Sequence, residues 1–464
     1  MNSILDTTGK PSADENGRYS GPEPGRRGLG SLLRSGGMRH GATLWASAIL
    51  AGTLDYGLNI LAGRWLEPVQ YGIFVCVAAI LLVLIYLYTA IRNVVAFYTA
   101  KLSVQAGSSR LTGAFVHRAW RWAWQGGLVA TALASILAPL LAHALRLSNP
   151  WVLWAACPLA QLLFLRAITD GAFQGTQRFA VLGAVLVATS VLRLLFTAGL
   201  IRLGWQAFGA VVAWPLAWGG ALLLALPFLP RLRSSSQESS LAVSRRYSSY
   251  TLLGIGAFGL LSNLDALFVK HFFSPMMAGR YAPVVTLAKV SLFLPMALGI
   301  ILLPKAVERQ AKNRDAWPIL LLALMGALAP GLALTVFYCL SSGWLVRIVF
   351  TAAYGDPGIV LGLASLAATL YAGLNIWLNY ALSRERPAFI YSLAGVLLWQ
   401  VLGMFVFGRT NLVHMAWVMV SAGALGNVAG FITTWGKAPA GKAIRLGVVR
   451  ALVSGSPAQD RLKP

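Results

Sequence analysis

Twelve stretches of about twenty predominantly apolar residues follow one another along the chain, at 42–62, 73–91, 122–142, 151–169, 179–201, 207–229, 250–270, 281–303, 316–339, 359–382, 388–407 and 412–434. A bilayer core is about 30 Å thick and an α-helix rises about 1.5 Å per residue, so each stretch is long enough for one crossing. Hydrocarbon offers the backbone no hydrogen-bond partner, and a helix supplies its own. The fold expected is therefore an all-α integral membrane protein of about 12 transmembrane helices. A soluble alternative fails on composition. With 57% hydrophobic and 11% charged residues, the chain has too few charges to cover a surface facing water.

The few charges are unevenly placed. With the N-terminus inside, the segments on the side of the termini hold 29 Lys and Arg and those on the opposite side hold seven, namely Arg64, Arg146, Arg202, Lys270, Arg280, Arg347 and Arg409. Such a bias orients a membrane protein with both termini in the cytoplasm, here across the inner (cytoplasmic) membrane. The formal net charge of +24 is then read as orientation and contact with anionic membrane lipids, and nucleic acid is not an expected partner. Residues 1–40 are rich in Gly, Ser, Pro and Arg without an apolar core. They read as a disordered basic cytoplasmic tail and not as a cleaved signal peptide.

One short pattern occurs twice: Pro68, Gly72 and Phe74 in EPVQYGIF, then Pro275, Gly279 and Tyr281 in SPMMAGRY, each residue displaced by 207 positions. The same displacement carries the apolar run 42–62 onto 249–269, which is also apolar. The spans thus divide six and six about the polar stretch 231–249, giving a lobe at 41–230, a cytoplasmic linker, a lobe at 250–435 and a cytoplasmic tail at 436–464. Each half holds an even number of spans, so the halves are expected to be parallel repeats about an axis along the membrane normal, around a central cavity. The motif itself is expected to be the turn that opens each lobe's first hairpin. Prolines within spans, at Pro139, Pro158, Pro215, Pro295 and Pro330, are expected to kink them.

Motifs of soluble chemistry are explained away by their setting. GIGAFG, with Gly254, Gly256 and Gly259, matches the dinucleotide fingerprint but lies inside a membrane span, where small residues allow close helix contact, as at Gly426 and Gly430. We find no P-loop, HExxH or GxSxG pattern, and on the face opposite the termini the loop carboxylates are Glu67 and Asp356. No enzyme, cofactor or metal is called for. Cys76, Cys157 and Cys339 lack metal-ligand spacing and are expected to be core residues. His271 and His414 are placed at the interface near the outer face.

The informative residues are ionisable groups inside spans, because a charge at mid-bilayer costs several kcal/mol and is normally kept toward a partner or a wet cavity. Asp55 lies in span 1, Arg193 in span 5, Asp265 in span 7 and Lys289 in span 8, with Arg92 at the inner end of span 2. Two readings stand. These groups form structural ion pairs, or Arg92, Arg193 and Lys289 line a cationic lumen for an anionic cargo while Asp55 or Asp265 carries a coupling ion.

Three segments carry a resemblance: AGRWLEPVQYGIFVCVAAI after span 1, TAIRNVVAFYTAKL at the end of span 2, and NLDALFVKHFFSPMMAGRYAPVVTLAKVSLFLPMALGIILLPKAVER at 263–309. The last has an Asp in span 7, Gly-x-Tyr entering span 8 and Pro304 closing it. Over residues 40 to 435 the chain resembles the Wzx-like flippases of the multidrug/oligosaccharidyl-lipid/polysaccharide superfamily. The resemblance implies outward transfer of an undecaprenyl-pyrophosphate-linked oligosaccharide by alternating access, for O-antigen, capsule or exopolysaccharide assembly. A polysaccharide polymerase and glycosyltransferases would then be its pathway partners. The family's basic lumen carries over to Arg92, Arg193 and Lys289 and no further. Lipid II flippases of the same superfamily usually add two C-terminal spans that are absent from this pattern. Two other classes stay open: a multidrug-type cation-coupled exporter, and a polytopic glycosyltransferase or polymerase, against which the short outer loops argue.

Overall fold

The computed structural model describes residues 36–103, 108–147, 149–229, 245–311, 317–383 and 387–434. The first half contains α1 (Gly36–Trp65), α2 (Pro68–Ser103), α3 (Ser108–Ala144), α4 (Trp151–Ala156), α5 (Pro158–Gly175), α6 (Phe179–Arg202) and α7 (Gln206–Ala225). The second contains α8 (Arg245–Leu261), α9 (Leu264–Phe272), α10 (Pro275–Ala311), α11 (Trp317–Val349), α12 (Ile359–Ser383), α13 (Pro387–Gly403) and α14 (Leu412–Thr434). These fourteen helices make the twelve expected crossings, because spans 4 and 7 are each built from two. Among the described residues ten helical segments meet the length and apolarity of a crossing on their own, and α8 with α9 form an eleventh bent by 45°. The twelfth is α10, of 37 residues.

Each interruption has a local cause. Pro158 stands at the first position of α5, where its missing N–H costs nothing, and span 4 breaks there. Pro139, Pro215 and Pro330 sit inside continuous helices instead, and the non-helical residue of α11 is Ser341, away from Pro330. α10 also runs through Pro295 and on past Pro304, so neither proline ends span 8. The bend in span 7 falls at Ser262 and Asn263: the Asn263 side chain takes the Gly259 carbonyl that the backbone no longer bonds, and the Ser262 hydroxyl shares the Phe258 carbonyl with its own backbone N–H. Asn263 Nδ2 donates to Gly259 O at 2.8 Å and Ser262 Oγ to Phe258 O at 2.9 Å.

The two halves pack in the same order. In the first, span 1 lies on span 5 (α1 on α6), span 2 on span 4 (α2 on α5), span 3 on span 4 (α3 on α5) and span 5 on span 6 (α6 on α7). In the second the equivalent pairs are α8 on α13, α10 on α12, α11 on α12 and α13 on α14. This repetition is what the displaced motif requires of parallel repeats. The halves meet along a seam where α2 lies against α8, α9 and α10. One buried apolar cluster crosses it, containing Tyr71, Phe74 and Leu81 of α2 with Phe258, Tyr281 and Val285 of the second half. The outward surface is apolar too: Ile136 and Leu340 are 73% and 83% exposed, an arrangement that suits lipid and not water.

Several expectations are corrected. α1 begins at Gly36, inside the stretch read as the N-terminal tail, and α8 begins at Arg245, inside the stretch read as the linker. The rest of the 1–40 tail, of the 231–249 linker and the whole 436–464 tail lie outside the described residues. Cys339 is exposed on α11, whereas Cys76 and Cys157 are buried as expected. The glycines of GIGAFG do serve helix contact, since a β-carbon on Gly254 would strike Leu378, and one on Gly259 would strike Tyr86.

Candidate functional site

The start of α1 and the end of α14 lie on one side of an even number of crossings, and the opposite side is the distal face. There the two copies of the repeated motif do not stand apart as separate hairpin turns. A β-carbon on Gly72 would lie 2.9 Å from the Cα and N of Gly279, and one on Gly279 would lie 3.0 Å from Val69 N. The first turns of α2 and α10 thus cross backbone against backbone, which only glycine permits. Just below, Tyr71 and Thr286 share a hydroxyl hydrogen bond of 2.7 Å across the seam. Further along α2, Tyr86 packs edge-on against Phe258 at 5.5 Å.

The sequence-derived charges distribute around this seam in three groups. Asp55 and Arg193 come together, with Arg193 Nη2 2.5 Å from Asp55 Oδ1. The guanidinium also lies over the Trp214 ring at 4.2 Å, so Arg193 ties α1, α6 and α7 together. Here the structural-pair reading describes the contact. The carboxylate is the open side of the pair: Asp55's side chain is 38% exposed against 8% for Arg193.

Asp265 and Lys289 form the second group without forming an ion pair. Among the described residues the two ion pairs are Asp55–Arg193 and one discussed below. Asp265 stands in the first turn of α9, where the helix N-terminus favours a carboxylate. Its Oδ2 accepts the Tyr281 hydroxyl at 3.0 Å, while its Oδ1 is buried without a partner among the described residues. Lys289 reaches the break in span 7 and donates to Asn263 Oδ1 at 2.7 Å. Gln400 completes the polar layer by donating to Leu261 O at 3.0 Å and accepting from Tyr371 at 2.9 Å. The bend therefore concentrates freed carbonyls, a carboxylate and an ammonium at one level of the second lobe.

Arg92 is the third. It is half-buried on α2, its guanidinium 5.6 Å from the Tyr88 ring, and its Nε has no partner among the described residues. Beside it lies a site the sequence reading missed. Arg166 and Asp170 on α5 are 1% and 0% exposed, and Asp170 Oδ2 accepts Arg166 Nε at 3.1 Å, Arg166 Nη2 at 3.0 Å and the Tyr88 hydroxyl at 2.6 Å. Arg166 also donates to Thr189 at 3.1 Å and lies 4.9 Å from the Trp218 ring. In the sequence Arg166 counts among the 29 Lys and Arg on the side of the termini. It is instead wholly internal, and the available signal was its spacing of four from Asp170 on a helix. A cavity of about 200 Å³ opens on the distal face beside Gln70, Asn149 and Trp205, and none of the five sequence-derived residues lines it.

Comparison with known proteins places the fold. No family model matches the sequence. An uncharacterised protein of Mycobacterium bovis is 26% identical over 223 residues, which are 46% of this chain and 50% of the relative, and counterparts in two Mycobacterium tuberculosis strains align identically. The alignment spans about half the length of these curated relatives. Among solved structures, the lipid II flippase MurJ in an inward closed conformation superposes with a TM-score of 0.66 at 11% identity, over 84% of this chain and 87% of that one. An inward-facing multidrug resistance MATE transporter of the MOP superfamily superposes with a TM-score of 0.60 at 13% identity, over 88% and 100%. The chain has the two-lobe, all-helical fold that these membrane transporters share.

Proposed function

We propose that the chain is a flippase that carries a lipid-linked oligosaccharide across the inner membrane by alternating access, its lobes at 41–230 and 250–435 moving about the seam. One observation carries this reading. On the seam helices α2 and α10, Arg92 and Lys289 are half-buried cations that form no ion pair with a carboxylate among the described residues. The two helices start together at the distal face, and Lys289 lies fourteen and Arg92 twenty-four residues below their paired prolines. That is a difference in depth of about 15 Å. Two cations at two levels suit a pyrophosphate headgroup that moves along the seam while its acyl tail stays in lipid. Arg193, paired with Asp55, braces the first lobe and could offer its charge to cargo only by leaving that pair, and Asp265, with one bare carboxylate oxygen, is the candidate coupling group.

With the positive-inside bias, both termini lie in the cytoplasm and the distal face is the outer face. The cargo best matched by the sequence resemblance is an undecaprenyl-pyrophosphate oligosaccharide for O-antigen, capsule or exopolysaccharide, made by glycosyltransferases and passed on to a polymerase. The fold of a lipid II flippase supports the cargo class, and that of MATE transporters supports the alternating movement. A second reading, a cation-coupled small-molecule exporter, is favoured by the buried carboxylates Asp170 and Asp265 and opposed by the seam cations. In a null strain, lipid-linked oligosaccharide is expected to accumulate facing the cytoplasm. Complementation by Arg92→Ala or Lys289→Ala is expected to fall at least tenfold while membrane levels hold. Full complementation by both variants would remove the proposed cargo contacts, and altered drug susceptibility with normal glycan would favour the second reading.

A further inference from the structure

The distal ends of the lobes are joined by two contacts that repeat the chain's internal duplication. Arg64, in the last turn of α1, donates from Nε to Val349 O at 2.9 Å and from Nη2 to Ile348 O, at the C-terminal end of α11. The residue 207 positions later is His271, in the last turn of α9. Its Nδ1 donates to Ala144 O at 2.5 Å, at the C-terminal end of α3. α3 and α11 are the third spans of their lobes. Each lobe's first span thus ends in a basic side chain that crosses the seam to the carbonyl end of the other lobe's third span.

The chemistry at both ends is the same. The last carbonyls of a helix have no intrahelical partner and carry the negative end of its dipole. At α3 the chain turns away through Arg146, in the left-handed region at φ 50°, with Arg146 N bonded to His143 O and Leu147 N to Ala142 O. Ala144 O is taken by His271. Between the two contacts lies the Gly72–Gly279 crossing, and the Tyr354 hydroxyl adds a further link from the second lobe to Gly63 O at 2.6 Å. A contact that reproduces itself under the repeat displacement has the form of a two-fold interface, in which one patch meets its own counterpart.

We infer that Arg64 and His271 form a two-fold clasp that holds the distal face shut and must release for the lobes to part there. This rests on the alternating-access reading above and gives the two residues a gating role, separate from any cargo contact. The test measures the clasp apart from transport. In a chain with Cys76, Cys157 and Cys339 replaced by Ser, spin labels at the exposed Leu203, just past the distal end of α6, and Ile359, the first residue of α12, report the lobe separation by pulsed electron resonance. Arg64→Ala with His271→Ala is expected to add a longer-distance population that dominates the parent distribution, and His271→Arg in place of His271→Ala is expected to restore the short one. A double variant with the parent distribution overturns the clasp, whatever its transport activity. A second arm needs no weakening of the fold: Arg64→Cys with Val349→Cys, joined by a short bismaleimide, is expected to cut translocation at least tenfold relative to the same variant left unjoined. If the joined protein translocates as the unjoined one does, the clasp does not gate. If the unjoined protein and its parent both fail to translocate lipid-linked oligosaccharide, the functional reading fails while the distance measurement still decides the clasp.

Discussion

At the scale of single residues, the charges divide by whether a partner neutralises them inside the protein. Arg166 and Asp170 are wholly buried, and removing one leaves the other as an uncompensated charge, a change worth about 3–5 kcal/mol. Arg166→Ala is therefore expected to abolish folded protein in a detergent size-exclusion assay, and Arg166→Leu with Asp170→Leu to recover much of it. Asp55→Asn should be tolerated better than Asp170→Asn, because Asp55's side chain is 38% exposed. Asp55, Arg193, Asp265 and Lys289 were legible because each interrupts an apolar run, and Arg92 because it closes one. Their partners were not: Arg193 finds Asp55 from another helix, and Lys289 finds Asn263 in place of Asp265. Asp170, one residue beyond the apolar run 151–169, and Arg166, near the end of that run, read as charges of the inner face, where hydropathy implies water but the fold supplies protein.

At the scale of elements, the repeated motif was visible but its role was misplaced. In sequence, Pro-x-x-x-Gly reads as a hairpin turn within each lobe. Its glycines instead sit in the first helical turns of α2 and α10 and touch each other between lobes, a contact that no local pattern can reveal. Gly279→Ala would set a β-carbon against the Pro68 carbonyl, so the helix ends must spread. A drop in Tm of several degrees is expected, on the scale of an overpacked core at about 1–3 kcal/mol. Gly57→Ala in α1, where a β-carbon meets nothing within 4 Å, should be neutral or slightly stabilising in the same thermal assay. The bend of span 7 was likewise hidden, since no proline marks it and only Ser262 and Asn263, ahead of Asp265, stand at the break.

The distal loop adds a pH dependence at this scale. The Gly358 N–H and the Ser342 hydroxyl, each 2.8 Å from Asp356 Oδ1, hold the Asp356 carboxyl below its ordinary range, and burial of Tyr354 raises its phenol. A depressed carboxyl stabilises the loop above its unfolded value of about 3.9 and loses that contribution as pH falls through the lower folded value. Hydrogen exchange of 351–358 should therefore be flat from pH 7 to 5, after correction for intrinsic rates, and rise below about pH 4. In Asp356→Asn it should be elevated throughout.

For the whole molecule, span number, parity and the six-and-six division were all legible, because lipid makes every crossing declare itself as an apolar run. The equivalent packing of the two halves and their meeting along α2 and α10 then follow from duplication of one helical unit. What the linear pattern left open was which charges on the seam helices lack an ion-pair partner among the described residues, and that distinction separates a transporter of anions from a bundle held by ion pairs. Under the proposed function, Arg92 and Lys289 act on a moving anionic headgroup. The most direct test is translocation of a fluorescent undecaprenyl-pyrophosphate oligosaccharide in proteoliposomes containing the purified protein. The parent is expected to exchange it between leaflets, and Arg92→Ala/Lys289→Ala to do so at least tenfold more slowly with the fold intact. No exchange by folded parent protein, or undiminished exchange by the double variant, would contradict the proposed function.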